Sequence, residues 1–202
     1  MKREYKILLA TSLLANFGDN LIGPFYAIYI KEAGIGLFDL GYASTLFCIA
    51  TGVLMIIVGK YSDRHNKYLI TIFGFFMYVV ASLWYLIISS PWHLYVLQII
   101  QAVGTACLSA PLTVLFSRFI QKGKEGTQWG LEGGGSFIIV GAAVFIGTLV
   151  VNFLGFKILF LAMFAVQITA TLIQTRLYFA TKRQIIQSES ADDILHAEHA
   201  EK

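Results

Sequence analysis

An aspartate in the middle of an apolar stretch is the first feature of this sequence able to do chemistry. Asp19 follows the run ILLATSLLANFG and precedes NLIGPFYAIYI, and it is the acidic residue nearest the centre of an apolar segment. A charged side chain at the centre of a membrane helix costs roughly 2.5–3.5 kcal/mol on insertion scales, and such residues usually mark a functional pathway. Asp19 is therefore a candidate binding residue for a proton or a cation.

Polar and small residues recur around Asp19 at helical spacing. The residues predicted to share its face are Ser12, Asn16, Asn20, Gly23 and Ala27. Such a face does not favour lipid, so it should point into a bundle or a water-filled cavity. Two interpretations remain open: Asp19 couples transport to an ion, or it is hydrogen-bonded between helices and never titrates.

A second polar stripe lies in the fourth apolar run, LYVLQIIQAVGTACLSAP. Its members are Gln98, Gln101, Thr105 and Ser109, and the small residues Ala102, Ala106 and Ala110 run beside them. Small residues suit close packing of membrane helices, and the polar stripe suits either a polar solute or hydrogen bonds between helices.

Composition indicates that both stripes belong to membrane helices. Of the 202 residues, 57% are hydrophobic and 13% are charged, against about 25% charged in an average soluble domain. A spanning helix needs about 20 mostly apolar residues. The six runs that qualify are approximately 7–30, 40–58, 68–90, 92–117, 134–154 and 157–181. We therefore predict an all-α membrane protein with six transmembrane helices in residues 1–183, and no nucleic-acid-binding face.

Basic residues predict the orientation of these spans. With the N-terminus inside, twelve of the fifteen Lys and Arg residues are cytoplasmic and two are outside, the distal Lys202 being left aside. This bias predicts cytoplasmic termini in a multi-pass protein of the cell (inner) membrane. Residues 184–202 turn abruptly polar and are predicted to be a cytoplasmic tail that is solvated or docks elsewhere. Two histidines three apart there, His196 and His199, do not by themselves make a metal site.

The stretch GKYSDRHNKYLI between the second and third spans carries a family signature. It resembles the loop motif Gly-x-Leu-x-Asp-Arg-x-Gly-Arg-Arg/Lys of the major facilitator superfamily, with Gly59, Asp63, Arg64 and Lys67 in register. Asn66 replaces the second glycine, and we expect it to supply a positive φ. The fourth run is similar to the family pattern Arg-x-x-Gln-Gly-x-Gly-x-Ala, although Gln98 stands where that pattern has arginine.

The resemblance implies half of a major-facilitator-type bundle. It implies a secondary active transporter of a small solute, without a cofactor or enzymatic activity, coupled to H⁺ or Na⁺ and working by alternating access. It places substrate and ion binding at Asn16, Asp19, Asn20, Gln98, Gln101 and Thr105, and a gate at Gly59, Asp63, Arg64 and Lys67.

The resemblance also implies a second six-helix half, since family transporters have two. A parallel homodimer or a separately encoded half supplies it, and Asp63 of one half would then meet the start of the other half's fifth helix, near Gly133–Gly135. The alternative is a non-transporting membrane subunit or scaffold that keeps the fold. Aromatic residues near the span ends, Trp129 among them, are predicted to be interface anchors.

Overall fold

The computed structural model describes the backbone of residues 3–200 and the side chains of residues 4–180, and the regular structure in this part of the chain is helical. The elements are α1 (Arg3–Asn20), a 3₁₀ turn (Gly23–Phe25), α2 (Tyr26–Glu32), α3 (Leu37–Arg64), α4 (Lys67–Trp84) followed by a 3₁₀ turn (Tyr85–Ile87), α5 (Pro91–Phe119) and a last helical run, Glu125–Ala200. The predicted tail, with His196 and His199, lies outside the described side chains.

The last helical run is two helices joined at Gly155. The φ of this residue is 80° and its ψ is 173°, a conformation outside the helical region that glycine adopts without a Cβ clash. We call the two segments α6 (residues 125–154) and α7 (residues 156–200). Successive contacts along α1, from Tyr5 with Gln128 to Asn16 with Ser136, show that α6 runs parallel to α1.

The second segment runs back along α1 in the opposite direction. Phe156 and Phe160 pack against Tyr29, whereas Gln167, further along α7, contacts Gly18. The chain therefore reverses at Gly155, and α1 packs against both segments while α4 contacts the same long run. The helix α5 packs against α3 and α4.

Four helical runs among the described residues are long and apolar enough to cross a membrane. They are Leu37–Arg64, Lys67–Ile87, Pro91–Phe119 and Glu125–Ala180, and their mean hydropathies lie between 1.8 and 2.5. The predicted first span, 7–30, is not one continuous helix, because α1 ends at Asn20 before the 3₁₀ turn. Pro24 has no backbone N–H to donate and Gly23 has a φ of 32°, which together explain the break.

Two apolar clusters hold opposite ends of the bundle together. One joins the start of α1 to the end of α5 and to α7, with Tyr5, Leu8, Leu115 and Leu177 buried in it. The other lies where α2 meets the end of α4, the start of α5 and the start of α7. We call the end where α1 begins the proximal end and the other the distal end.

The connections predicted to be cytoplasmic meet at the proximal end. The α3–α4 turn lies there because Tyr68 belongs to the proximal cluster, and the α5–α6 connection lies there because Gln128 accepts a hydrogen bond of 2.6 Å from Tyr5 through its backbone carbonyl. That connection is shorter than predicted. The polar stretch 118–133 is not a loop throughout, since α6 begins at Glu125 and its early polar residues are helical.

Candidate functional site

Two cavities meet inside the bundle, one toward each end. The proximal cavity has a volume of about 270 Å³, and its polar lining includes Ser12, Asn16, Asp19, Tyr78, Thr105 and Glu132. The distal cavity has a volume of about 310 Å³, and Asp19, Tyr26, Tyr78, Tyr85, Gln98 and Gln101 belong to its lining. Asp19 and Tyr78 line both, so these two side chains stand at the junction of the cavities.

The break after α1 contributes to this arrangement. Because the regular helix stops at Asn20, Asp19 lies in its last turn, and Gly23 in the following turn lines the distal cavity. The predicted polar face of α1 is therefore divided between the cavities, with Ser12 and Asn16 in the proximal one. Asp19 is half-buried between them.

The polar stripe of α5 is hydrogen-bonded to tyrosines from other elements of the bundle. The Nε2 of Gln98 donates to the hydroxyl of Tyr26 at 2.7 Å, and that of Gln101 donates to the hydroxyl of Tyr85 at 3.3 Å. Each glutamine therefore meets a tyrosine from another part of the bundle, which fixes where its amide points. These bonds tie α5 to α2 and to the 3₁₀ turn after α4.

Thr105 and Tyr78 form a third such pair, and its direction can be assigned. Their hydroxyl oxygens are 2.8 Å apart, and Thr105 also lies 2.9 Å from the Gln101 carbonyl. The single hydroxyl proton of Thr105 goes to that carbonyl, so Tyr78 is the donor in the pair. With its proton engaged by Thr105, the hydroxyl of Tyr78 has none to donate to Asp19.

The predicted site residues on α1 do not all reach a cavity. Asn16 donates through Nδ2 to the hydroxyl of Ser136 on α6 at 3.3 Å, and it lines the proximal cavity. Asn20 instead donates to the backbone carbonyl of Asn16 at 2.9 Å and lines neither cavity. The structure therefore brings Asn16, Asp19, Gln98, Gln101 and Thr105 together around the two cavities and leaves Asn20 aside.

The charged side chains described around the two cavities are acidic. Two carboxylates, those of Asp19 and Glu132, line the proximal cavity, and no lysine or arginine is among the residues described around either one. No group of three or more metal-ligating side chains occurs in the described part of the chain. A carboxylate facing space without a basic partner can bind a proton or a cation.

The predicted gating residues lie at the α3–α4 turn on the proximal end. Gly59 is inside α3, where an added Cβ would lie 4.0 Å from the Cβ of Ala110, which shows that α3 and α5 approach closely there. Asp63 and Arg64 are exposed along an open groove, and the Nζ of Lys67 donates to the Ser62 carbonyl at 2.7 Å.

The expectation that Asn66 adopts a positive φ is wrong. Its φ is −69°, and its side-chain oxygen accepts a hydrogen bond of 3.0 Å from the backbone N–H of Tyr68. Asn66 is therefore the N-cap of α4, where it satisfies one of the N–H groups that a helix start leaves without a partner. Only His65 and Asn66 separate α3 from α4, so the capping residue is part of the two-residue connection itself.

The expected position of the helix start that faces Asp63 is also wrong. The helix α6 begins at Glu125, so Gly133–Gly135 lie about two turns inside it, and the first turn carries the acidic Glu125. A second acidic group brought to this end would gain less from the helix dipole than one at a neutral start.

Sequence reasoning missed several lining residues. Tyr26, Tyr78 and Tyr85 are the hydrogen-bond partners of the α5 stripe, and residue type alone does not distinguish them from the other tyrosines of the chain. Trp129 lines the proximal cavity, 6.3 Å from Phe116 between ring centroids, although it was predicted to anchor the interface. Trp129 and Glu132 are three residues apart in α6 and so share a face.

The glutamines of α7 form hydrogen bonds between helices. Gln167 donates to the carbonyl of Ala15 at 3.1 Å, and Gln174 donates to the hydroxyl of Thr71 at 3.4 Å. Both are buried and neither lines the two cavities. They hold α7 to α1 and α4 and belong to the support of the site.

The described helices form an apolar bundle around two polar cavities, and comparison with known proteins identifies the family of this chain. The family model of the Major Facilitator Superfamily matches residues 8–198. The chain belongs to this superfamily. It is therefore a multi-pass membrane protein of a transporter family, which points to transport of a small solute rather than to catalysis.

Two relatives carry the same family name. An uncharacterized MFS-type transporter of Bacillus subtilis, YitZ, is 23% identical over 146 residues, which are 72% of this chain and 89% of that protein. An uncharacterized MFS-type transporter of Methanocaldococcus jannaschii, MJ1560, is 23% identical over 160 residues, which are 79% of this chain and 42% of that protein. The match thus spans most of the first relative and less than half of the second.

Proposed function

We propose that this chain is a half-size secondary active transporter of a small solute, with Asp19 as the residue that couples transport to a proton or Na⁺. The observation that carries the proposal is the position of Asp19 at the junction of two cavities that extend toward opposite ends of the bundle. A solute or ion passing from one cavity to the other would have to pass Asp19 and Tyr78.

In this proposal the helices of the bundle form six membrane spans. The four long apolar runs become five when the last is divided at Gly155, where the chain reverses. The sixth is α1 continued through the 3₁₀ turn into α2, and three of the polar residues that lower its hydropathy, Ser12, Asn16 and Asp19, line the proximal cavity. The proximal end, which gathers most of the lysines and arginines, is then cytoplasmic, as are both termini, in the cell membrane.

A second six-helix bundle would cover the open side of the cavities. Ser44 and Thr113 line them and are exposed, and Trp129 keeps 38% of its surface accessible. Lipid against this side would leave Asn16, Asp19 and Glu132 next to hydrocarbon, which is costly. A parallel homodimer is the simplest cover, because two-fold pairs are the commonest oligomers; a separate half is the alternative.

The gate at Gly59, Asp63, Arg64 and Lys67 remains part of the proposal. The groove that carries Asp63 is open and at the end where α6 begins. With its negative charge, Asp63 would pair with basic residues of the partner's α5–α6 connection, Lys122 and Lys124, more favourably than with the acidic first turn of α6. If Asp63→Asn left the exchange between inward- and outward-open states unchanged, the gate would be excluded.

The alternative function, a non-transporting subunit or scaffold, has one specific observation in its favour. Gln98, Gln101 and Thr105 are all hydrogen-bonded to tyrosines of the same chain, which is also how side chains that only hold helices together behave. In a scaffold, Asp19 would contribute to packing, and its neutralisation would leave binding to a partner unchanged.

The replacement Asp19→Asn separates the two functions. In proteoliposomes with an imposed proton or Na⁺ gradient and a panel of small solutes, we expect the wild-type chain to accumulate a solute and Asp19→Asn to lose gradient-driven uptake, since an amide neither binds nor releases a proton. The control is Asp39→Asn, whose amide oxygen can still accept the hydrogen bond of 2.9 Å from Tyr95. Uptake by Asp19→Asn equal to that of the control would contradict the coupling role.

A further inference from the structure

The walls of the proximal cavity combine aromatic rings with carboxylates. Phe75, Tyr78, Phe116 and Trp129 contribute the rings. Phe75 and Phe116 are almost fully buried and so are fixed in place, and the Trp129 ring packs beside Phe116. Aromatic faces carry partial negative charge and attract cations, and tryptophan attracts them most strongly.

The two carboxylates lie at different depths of this cavity. Asn16 contacts Ser136, and Glu132 is about one helical turn before Ser136, which places it near the level of Ser12 on the parallel helix α1. Asp19 is seven residues beyond Ser12, about 10 Å further along the axis at 1.5 Å per residue. A ligand in the cavity therefore meets two carboxylates at different depths, and the Trp129 and Phe116 rings lie on the proximal side of Glu132.

The charge and the volume narrow the class of ligand. No basic side chain lines the cavity to balance the carboxylates, so an anion would meet uncompensated repulsion. The volume of about 270 Å³ lies just under the range of roughly 300–1,000 Å³ of drug-sized pockets. Strongly hydrated ions gain little from apolar rings, whereas an alkylated ammonium group fits them.

We infer that the proximal cavity binds a small alkylated ammonium cation, held by Glu132 and Asp19 and seated against Trp129. This inference rests on the proposed function in taking the cavity as the solute site, and it adds the chemical class of the solute. Trp129 and Glu132 are its specificity-determining residues. They are side by side on α6 and are not part of the coupling junction.

The test is a binding titration of the whole chain in lipid nanodiscs. Choline is compared with its neutral carbon isostere 3,3-dimethyl-1-butanol and with the anion 3,3-dimethylbutanoate, and tetramethylammonium and tetraethylammonium extend the series in size. We expect the cations to bind and the isostere and anion not to bind. Equal binding of choline and its isostere, or no binding of any of the three cations, would overturn the inference.

Variants with matched controls locate the site. Trp129→Leu should weaken cation binding by about 2- to 30-fold, and Glu132→Gln by about tenfold or more. Trp92→Leu replaces an exposed tryptophan elsewhere, and Glu125→Gln removes an acid from the same helix outside the cavity; both should bind as the wild type does. Trp129→Phe keeps an aromatic face and should retain most of the affinity if Trp129→Leu fails to fold. Wild-type affinity in both Trp129→Leu and Glu132→Gln would place the cation elsewhere.

The proposed substrate class and the proposed transport function are excluded by different experimental results. If the chain alternates between inward- and outward-open states but does not prefer choline over its isostere, the substrate class is wrong and transport stands. If it binds choline through Trp129 and Glu132 but never alternates, the cation site stands and transport is wrong.

Discussion

At the scale of single residues, the position of Asp19 beside a cavity was predictable from the sequence, because an acidic side chain in an apolar run is costly and rarely accidental. The positions of the tyrosines around it were not predictable, because tyrosine occurs equally in a core, at an interface or beside a cavity.

Asn66 shows a related limit of prediction from residue type. Its residue type suits both a positive φ and an N-cap, and the side-chain bond to the Tyr68 N–H decides for the cap.

Capping by Asn66 can be tested at this scale. Asn66→Ala removes the acceptor and should lower the free energy of unfolding by about 1 kcal/mol, whereas Asn66→Asp keeps an acceptor and should be near wild type. Thermal unfolding in nanodiscs measures both. An equal loss in the two variants would show that the cap does not stabilise α4.

At the scale of elements, hydropathy locates the centre of a helix better than its ends. The run predicted as 40–58 is the helix Leu37–Arg64, because polar residues near the membrane surface continue a helix without adding to its apolar signal. The break after Asn20 has a local cause that the sequence displays, the pair Gly23-Pro24, since Gly-Pro marks a turn. The pairing of α1 with both α6 and α7 depends on contacts more than a hundred residues apart along the chain.

The close approach of α6 to Leu21, the residue that follows α1, depends on Gly147. A Cβ at this position would overlap the backbone carbonyl of Leu21, so only glycine permits the approach. Gly147→Ala should push α6 away from Leu21 and cost about 1–3 kcal/mol of unfolding free energy.

Gly141→Ala is the matched control on the same helix, because a Cβ at Gly141 meets no atom within 4 Å. It should be neutral or stabilising by up to about 1 kcal/mol, through the better helix propensity of alanine. Denaturant unfolding in a mild detergent compares the two variants. If both change stability alike, the close approach at Gly147 does not stabilise the packing of α6.

At the scale of the whole molecule, the spacing of the motif at the α3–α4 turn indicated the family, and the match over residues 8–198 confirms it. Whether a second bundle covers the cavities is a property of an assembly, and the exposed side chains at their open side motivate the test. Native mass spectrometry of the protein in nanodiscs should give a dimer. A stable monomer would contradict the homodimer, and a second, different chain of similar size would replace it with a separate half.

Transport through Asp19 is tested most directly by asking whether the two cavities open alternately to the two sides of the membrane. Cys48 is exposed and lines the distal cavity, and the other cysteine, Cys107, is buried. Thr113→Cys in a Cys48→Ser background places the same reporter in the proximal cavity. A membrane-impermeant thiol reagent is applied to one face of oriented vesicles at a time.

We expect Cys48 to react from one face and Thr113→Cys from the other. An ion gradient should raise one reactivity as it lowers the other, and both Asp19→Asn and Asp63→Asn should suppress this exchange. Reaction of both cysteines from the same face, or rates that the gradient and Asp19→Asn leave unchanged, would contradict alternating access through Asp19.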